Sequence, residues 1–231
     1  SSPVPWSRAD PALGFGSRMP LAKLLAAQLR RPSGRFGRWV MTRALNRGNA
    51  DLIEECLAAL ELCEDDTVLD VGFGGGGALR RAAKIVTRGR LTGVDFSADV
   101  VAQGQSALRD LIASGRLNLL SADVLDLPLA AGLFSKIVTS NTIYFWPDLP
   151  SALASLARVL APGGRLVIGF SGKEKLDQYG SVTDHGFTKR SDTEVVAASR
   201  EAGFNRVTAR ALSRGRSRGD FVVVAARDAS S

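Results

Sequence analysis

From residue 67 onward, short apolar runs alternate with amphipathic segments, and this pattern predicts strands and helices in regular succession. The predicted strands are Thr67–Val71, Arg90–Asp95, Leu117–Ser121, Lys136–Ser140, Arg165–Phe170, Asn205–Ala211 and Phe221–Ala226. The predicted helices are Ala78–Val86, Ser97–Ala113, Pro147–Leu160 and Ser191–Ala202. We therefore expect an α/β fold: a doubly wound, mostly parallel sheet of seven strands with helices on both faces and an antiparallel C-terminal hairpin.

The first 65 residues follow a different pattern. Residues 1–20 carry four prolines and little periodicity, which is typical of a flexible arm. Apolar stripes then predict three helices, Pro20–Arg30, Phe36–Asn46 and Asn49–Leu62. We expect residues 1–65 to form an arm and a helical lid that covers a ligand crevice, with Asn46, Asn49 and the neighbouring arginines forming part of a substrate lid. Residues 66–231 would form the ligand-binding domain.

The break after the first predicted strand is the most informative stretch of the chain. Asp70 lies in a short apolar run, and glycines follow at position 72 and at positions 74–77. Glycine allows a tight turn with positive φ and lets a ligand lie against the main chain. Gly72, Gly74 and Gly77 fit the dinucleotide pattern G-x-G-x-x-G, whereas Asp70 with Gly72, Gly74 and Gly76 fits the D-x-G-x-G-x-G pattern of S-adenosylmethionine sites. The acid favours the cationic ligand, because a carboxylate would repel a pyrophosphate.

Polar residues also end the next predicted strands. Asp95 lies 23 residues beyond Gly72, the distance at which an acid accepts hydrogen bonds from a ribose diol. Asp123 follows the third strand, where it would accept from the exocyclic amine of adenine. Residues 139–146, where the fourth strand ends, mix polar and aromatic side chains. Ligands of doubly wound sheets lie at the carboxyl ends of the strands, so we expect these residues to meet. A helix cap at Asp95 and a solvated loop acid at Asp123 remain alternatives.

The composition predicts an ordinary globular protein. Hydrophobic residues make up 45% and charged residues 23% of the chain. Apolar runs stay well below the roughly 18 residues of a membrane span, and the chain does not begin with a recognisable signal peptide. We therefore expect a soluble, cytoplasmic protein without a membrane span.

The net charge of +7 comes mostly from clustered arginines. The clusters are Arg30, Arg31, Arg35, Arg38, Arg43 and Arg47, and Arg206, Arg210, Arg214, Arg216 and Arg218. Such clusters would suit nucleic acid, an acidic membrane surface or an anionic substrate, and a solvated basic surface is the alternative. Nucleic acid is the less favoured partner, because the sequence shows no RNA-binding signature with interleaved aromatic residues.

Cysteine and histidine are scarce. Cys56 and Cys63 lie seven residues apart in a helical pattern, which predicts buried, reduced thiols on one helix face. His185 is the one histidine of the chain, which excludes a multi-histidine zinc site, and we expect no metal.

With these motifs in order, residues 66–226 resemble the class I S-adenosylmethionine-dependent methyltransferases. The resemblance is strongest to the branch that includes ubiquinone and menaquinone biosynthesis methyltransferases and other small-molecule enzymes. It rests on Asp70–Gly76, Asp95, Ala122–Asp123, Asn141–Asp148 and Leu160–Leu166. Ser135 departs from the pattern, because many members carry an acid there.

The resemblance implies a Rossmann-like fold, S-adenosylmethionine as cofactor and S-adenosylhomocysteine as its product. It implies in-line methyl transfer to oxygen, nitrogen, sulfur or carbon of a small molecule, either anionic or lipophilic, and it leaves the oligomeric state open. The implied cofactor-binding residues are Asp70, Gly72, Phe73, Gly74, Gly76, Asp95, Phe96, Asp123, Val124, Asn141 and Ile143. RNA or protein as substrate, a dinucleotide oxidoreductase and a non-catalytic cofactor-binding module remain alternatives.

Two residues are candidates for a catalytic base or an orienting group. His185 lies in a polar stretch after the fifth strand, and its ordinary pKa suits proton transfer near neutrality. Tyr144 is the second candidate. The rings of Phe73, Tyr144, Phe145 and Trp146 would surround the sulfonium, because a cation is stabilised over aromatic faces, with core packing as the alternative for each.

Overall fold

The computed structural model describes residues 49–178, 187–213 and 215–229. Its helices are α1 (Ala50–Leu60), α2 (Gly77–Ala82), α3 (Ala98–Ala107), α4 (Arg109–Ala113), α5 (Leu149–Val159), α6 (Lys173–Asp177) and α7 (Asp192–Glu201). Its strands are β1 (Thr67–Val71), β2 (Arg90–Asp95), β3 (Leu117–Ser121), β4 (Phe134–Ser140), β5 (Leu160–Ser171), β6 (Arg206–Ala211) and β7 (Asp220–Ala226). The predicted helices at 20–30 and 36–46 lie outside the described residues.

The strands form one sheet of the predicted class. Their order is β3-β2-β1-β4-β5-β7-β6, and β1 to β5 run parallel. β7 is antiparallel to both β5 and β6. The chain goes outward from β1 to β3 and then returns to place β4 on the other side of β1. The carboxyl ends of β1 and β4 therefore flank the switch in strand order, where doubly wound sheets bind ligands.

Helices cover both faces of the sheet, as the alternating pattern predicted. One core cluster joins strand residues to α1, α2 and α3, and the other joins strand residues to α5 and α7. The most buried helix positions are apolar and recur at helical spacing, as in α5 with Leu149, Ala152, Leu153 and Leu156. Asp148 and Ser191 cap α5 and α7 with their side chains, and these caps fix where the two helices begin.

The expected long helix over residues 97–113 is wrong, because it is broken at Leu108. The backbone of Leu108 leaves the helical region at φ −117° and ψ 20°, and its side chain is buried. A Cβ built on Gly76 would lie 2.9 Å from Leu108 Cδ1. The break therefore lets Leu108 pack directly beneath the glycine turn, and α3 and α4 are separate helices.

Helix α1 packs on the sheet and does not cover a crevice, which corrects the expectation for the third N-terminal helix. Leu52 and Cys56 lie against Gly169 of β5, where a side chain would collide with the Cys56 sulfur. Helix α1 is therefore part of the layer that covers the sheet. The prediction of a lid is kept only for the residues before α1. Cys56 is buried as expected, but Cys63 is exposed, because the helix ends at Leu60 and its periodicity no longer applies.

None of the helices in the three described ranges has the length and apolarity needed to cross a membrane.

Candidate functional site

The glycine turn after β1 lies directly against the loop after β4. Gly72 has φ +72°, a conformation that side chains rarely adopt, and a Cβ there would collide with Thr142 Cγ2. The Gly72 amide donates to the carbonyl of Val94 on β2 at 2.7 Å. Gly76, also at φ +72°, is the N-cap residue of the short helix α2. The glycine turn therefore packs between β2 and the loop after β4, where the strand order of the sheet reverses.

Asp95 at the end of β2 is tied to this turn. Its Oδ2 accepts the Gly74 amide at 3.1 Å and its Oδ1 accepts the Ser97 amide at 3.0 Å. Burial raises the pKa of Asp95, and the two amide hydrogen bonds oppose that rise. Ser97, not Asp95, caps α3, since its side chain accepts from Val100. Each carboxylate oxygen has two lone pairs, so both can accept a further hydrogen bond.

Asp70 is a buried carboxyl at the same edge. Burial, followed by the nearby charge of Asp95, raises the pKa of Asp70 to about 8. Within the described residues, Asp70 Oδ2 is buried and has no hydrogen-bond partner. Such an oxygen is costly to leave unpaired, and a ligand that donates hydrogen bonds or carries positive charge would remove that cost.

The ends of β2 and β3 present an apolar ring and an acid. Phe96, next to Asp95, is 54% exposed, which is unusual for a large apolar side chain. Asp123 is exposed, and its Oδ1 accepts the Leu125 amide at 3.0 Å. Asp123 therefore shapes its loop through Oδ1. The Val124 side chain is buried and packs in the core cluster, which anchors the loop after β3 to the core.

The loop after β4 has an unusual backbone at Asn141. This residue has φ +55° and its amide donates to the Gly169 carbonyl at 2.8 Å. Its Oδ1 accepts the Tyr144 hydroxyl at 2.7 Å. A short 3-10 helix, Ile143–Phe145, follows, with the Ile143 side chain fully buried in the core.

Three of the four aromatic rings expected around the sulfonium, those of Phe73, Tyr144 and Trp146, are buried in the core, and Phe145 is partly buried. Gly93 and Gly104 leave room for the Phe73 ring, since a Cβ on either would lie within 2.9 Å of its atoms. Phe73 can therefore contribute only its backbone to the crevice, which corrects the role assigned to its ring. Trp146 is 6% exposed and packs in the cluster with α5.

Tyr144 and Phe145 instead form an aromatic cluster with Phe187. Phe187 stacks on Tyr144 with ring centroids 5.6 Å apart and meets Phe145 edge-on at 4.8 Å. Phe145 and Phe187 are partly buried. Phe187 lies in a stretch without periodicity, so no sequence pattern predicted a role for it. Only the folded chain brings it to the end of β4.

Residues 188–190 also dock onto the loop after β4. The Thr188 amide donates to the Tyr144 carbonyl at 2.9 Å, and the Arg190 guanidinium donates to the Trp146 carbonyl at 2.9 Å. His185, the other catalytic candidate, lies outside the described residues.

A family model described as a methyltransferase domain matches residues 69–168. This is the part of the chain that carries the glycine turn, Asp95 and the loop after β4. This part of the chain is similar to methyltransferase domains. Its resemblance to the class I S-adenosylmethionine-dependent type, including the branch that acts in quinone biosynthesis, is confirmed by the relatives. The cofactor expected from the sequence is the cofactor of that class.

Three relatives show how far the likeness extends. The chain is 36% identical over 102 residues to a ubiquinone/menaquinone biosynthesis C-methyltransferase of Geotalea daltonii, covering 44% of this chain and 43% of that protein. It is 34% identical over 116 residues to an O-methyltransferase of Pyrenophora dematioidea, covering 49% and 42%. A SAM-dependent methyltransferase structure from Aquifex aeolicus superposes with a TM-score of 0.63 at 26% identity, covering 77% of this chain and 92% of that one. The chain thus spans less than half the length of these two curated relatives.

Proposed function

We propose that this protein transfers a methyl group from S-adenosylmethionine to a small-molecule acceptor. The observation that carries the proposal is the pair of carboxyls at the switch point. Asp95 is held by the glycine turn with lone pairs to spare, and Asp70 is buried with an unpartnered oxygen. A ligand with a ribose diol and a positive charge satisfies both groups, because the diol donates to Asp95 and the positive charge favours the ionised form of Asp70, whereas the negative charge of a pyrophosphate would oppose that ionisation.

Different residues of the site would bind different parts of the cofactor. Asp95 would accept the ribose hydroxyls, and Phe96 with Asp123 would bind the adenine end. Gly72, Gly74 and Gly76 would let the cofactor lie against the backbone. Asp70 and Asn141 lie at the edge where the methionine end would bind.

When bound, S-adenosylmethionine supplies a methyl group on a positive sulfur, and an acceptor lone pair forms the new bond as the carbon–sulfur pair returns to sulfur. The protein contributes mainly by position and by exclusion of water. Tyr144 and Phe145, which belong to the loop after β4, form an aromatic wall with Phe187. We expect this wall to contact the acceptor.

A small-molecule acceptor is supported by the relatives, which include C- and O-methyltransferases, and these leave the acceptor atom open. A nucleic-acid acceptor is less well supported. Several arginines of the described surface are paired with acids, such as Arg88 with Glu64 and Asp65, and Arg210 with Glu55. Such pairs reduce the positive field available to phosphates.

Isothermal titration calorimetry with S-adenosylhomocysteine and with NAD tests the proposal. We expect saturable binding of S-adenosylhomocysteine and none of NAD. Asp95→Asn should weaken binding by about tenfold to a hundredfold, the value of one or two hydrogen bonds to a charged group. Asp110→Asn is the matched control, because Asp110 is a fully exposed acid on α4, and it should bind like the wild type. Binding of NAD in preference, or equal affinity for both variants, contradicts the proposal.

A further inference from the structure

A chain of hydrogen bonds runs from the loop after β4 across β5 to β7. The Ser171 amide at the end of β5 donates to the Tyr144 hydroxyl oxygen. The Ser171 hydroxyl donates to Asp220 Oδ1 at 2.7 Å, and Lys175 Nζ donates to the same oxygen at 2.7 Å. Tyr144, Ser171 and Asp220 are all buried. Buried polar groups joined in this way hold one another in a single arrangement.

The direction of the Tyr144 proton follows from this chain. Because the Ser171 amide has to donate, the hydroxyl oxygen accepts from it. The single hydroxyl proton then goes to Asn141 Oδ1 at 2.7 Å, since the Ser171 carbonyl is farther away, at 3.5 Å. With Oδ1 engaged, the Nδ2 donors of Asn141 point away from Tyr144.

The backbone of Asn141 is fixed independently of its side chain. The residue has φ +55°, and its amide is bound to the Gly169 carbonyl on the same strand, β5, that carries Ser171. β5 therefore holds Asn141 twice, once directly and once through Tyr144. The hydrogen bond from Tyr144 stops the side-chain amide of Asn141 from rotating freely.

We propose that Tyr144 is a positioning residue, which orients the Asn141 amide so that its Nδ2 donates into the cofactor crevice. Asp220 and Lys175 anchor the other end of the chain through Ser171. Of the two roles that the sequence left open for Tyr144, a base or an orienting group, this proposal takes the orienting role, because the hydroxyl proton is already used to hold Asn141. The inference rests on the proposed function, since it assigns the amide to the cofactor site.

The test is a double-mutant cycle measured by calorimetry with S-adenosylhomocysteine. Tyr144→Phe should weaken binding by about tenfold, and Asn141→Ala by at least as much. Because Tyr144 acts through Asn141, the double variant should bind no more weakly than Asn141→Ala. Multiplied losses, or wild-type affinity in Tyr144→Phe, overturn the inference. If the wild-type protein fails to bind at all, the proposed function fails as well.

A control and a second measurement separate positioning from stability. Ser199→Ala removes a buried hydroxyl that donates to Val195 within α7, far from the crevice, and it should lower Tm without changing the affinity. In the wild-type protein, the Asn141 side-chain amide resonances, assigned by their loss in Asn141→Ala, should shift when S-adenosylhomocysteine is added. Unchanged resonances at saturation overturn the inference even if Tyr144→Phe does not fold.

Discussion

The amide of Gly74 donates to Asp95 Oδ2 at 3.1 Å, so the glycine turn after β1 and the acid after β2 form one unit. The same carboxylate accepts the amide of Ser97, the residue that caps α3. One side chain therefore shapes the turn and presents acceptors to a ligand. A substitution at Asp95 changes both the shape of the turn and the hydrogen bonds offered to the ligand. It should therefore weaken cofactor binding more than the loss of a single ligand contact would.

The tightest point of the site is Gly72, and Gly72→Ala should disrupt it. The substitution combines a φ of +72° with a collision between Cβ and Thr142 Cγ2. Gly115→Ala is the matched control, because Gly115 has the same φ and nothing within 4 Å of its Cβ. Gly115→Ala should cost about 1 kcal/mol of unfolding free energy, the value of the backbone conformation alone.

Gly72→Ala should cost clearly more than Gly115→Ala in urea unfolding and should also abolish binding of S-adenosylhomocysteine. Thr142→Ser removes the methyl group involved in the collision, so the pair Gly72→Ala and Thr142→Ser should recover part of the lost stability. Equal costs for the two alanine variants would show that the contact with Thr142 does not matter.

Because its carboxyl is buried, Asp70 should make the protein less stable as pH rises, which is the opposite of what a carboxyl with a lowered pKa does. Its pKa is about 8 in the folded protein against 3.8 as the ordinary value, so the folded state holds the proton between these pH values and the unfolded state does not. Stability contributed by this group is full below about pH 4 and is lost as pH rises toward 8, by at most about 1.4 kcal/mol per pH unit.

Asp70→Asn removes this titration. The range from about pH 5 to about pH 8 lies between the ordinary and the folded pKa of Asp70. In this range, the unfolding free energy of the variant should fall less steeply than that of the wild-type protein. Urea unfolding at several pH values measures both slopes. Parallel curves for the two proteins would mean that Asp70 is ionised throughout this range.

Arg80 holds the glycine turn from outside. Its guanidinium donates to the Gly75 carbonyl at 3.1 Å and to the Ala107 carbonyl at the end of α3 at 3.0 Å. Arg80→Gln should weaken binding of S-adenosylhomocysteine about twofold to fivefold, since two hydrogen bonds on an exposed surface are individually weak. Arg109→Gln, at an exposed arginine with a distant partner, serves as control. Wild-type affinity in Arg80→Gln would show that the turn holds its shape without it.

The sequence predicted the strands well because their apolar runs are bounded by polar residues and glycines. The bounds of β1, β2 and β3 agree with the prediction at both ends. Helix ends were less accurate where tertiary contacts decide them. The break at Leu108 depends on Gly76, which lies 32 residues earlier in the chain and contacts it only after folding.

The site was predicted in outline, and its side-chain directions were not. Carboxyl ends of parallel strands share an edge, so Asp70 and Asp95 could be placed together from the sequence. The ring of Phe73 could not be placed, because the space it fills is made by the missing side chains of Gly93 and Gly104 on other elements. The contact of Phe187 with Tyr144 has no periodic signal and depends on the course of the chain after β5. The cytoplasmic location and the role of His185 stay predictions.

A crystal structure of the protein with S-adenosylhomocysteine tests the central claim most directly. We predict that the ligand lies at the carboxyl ends of β1 and β4, with both ribose hydroxyls within hydrogen-bond distance of Asp95 and its amino acid end beside Asp70. A ligand bound elsewhere, or bound at this edge with its ribose away from Asp95, would contradict the account.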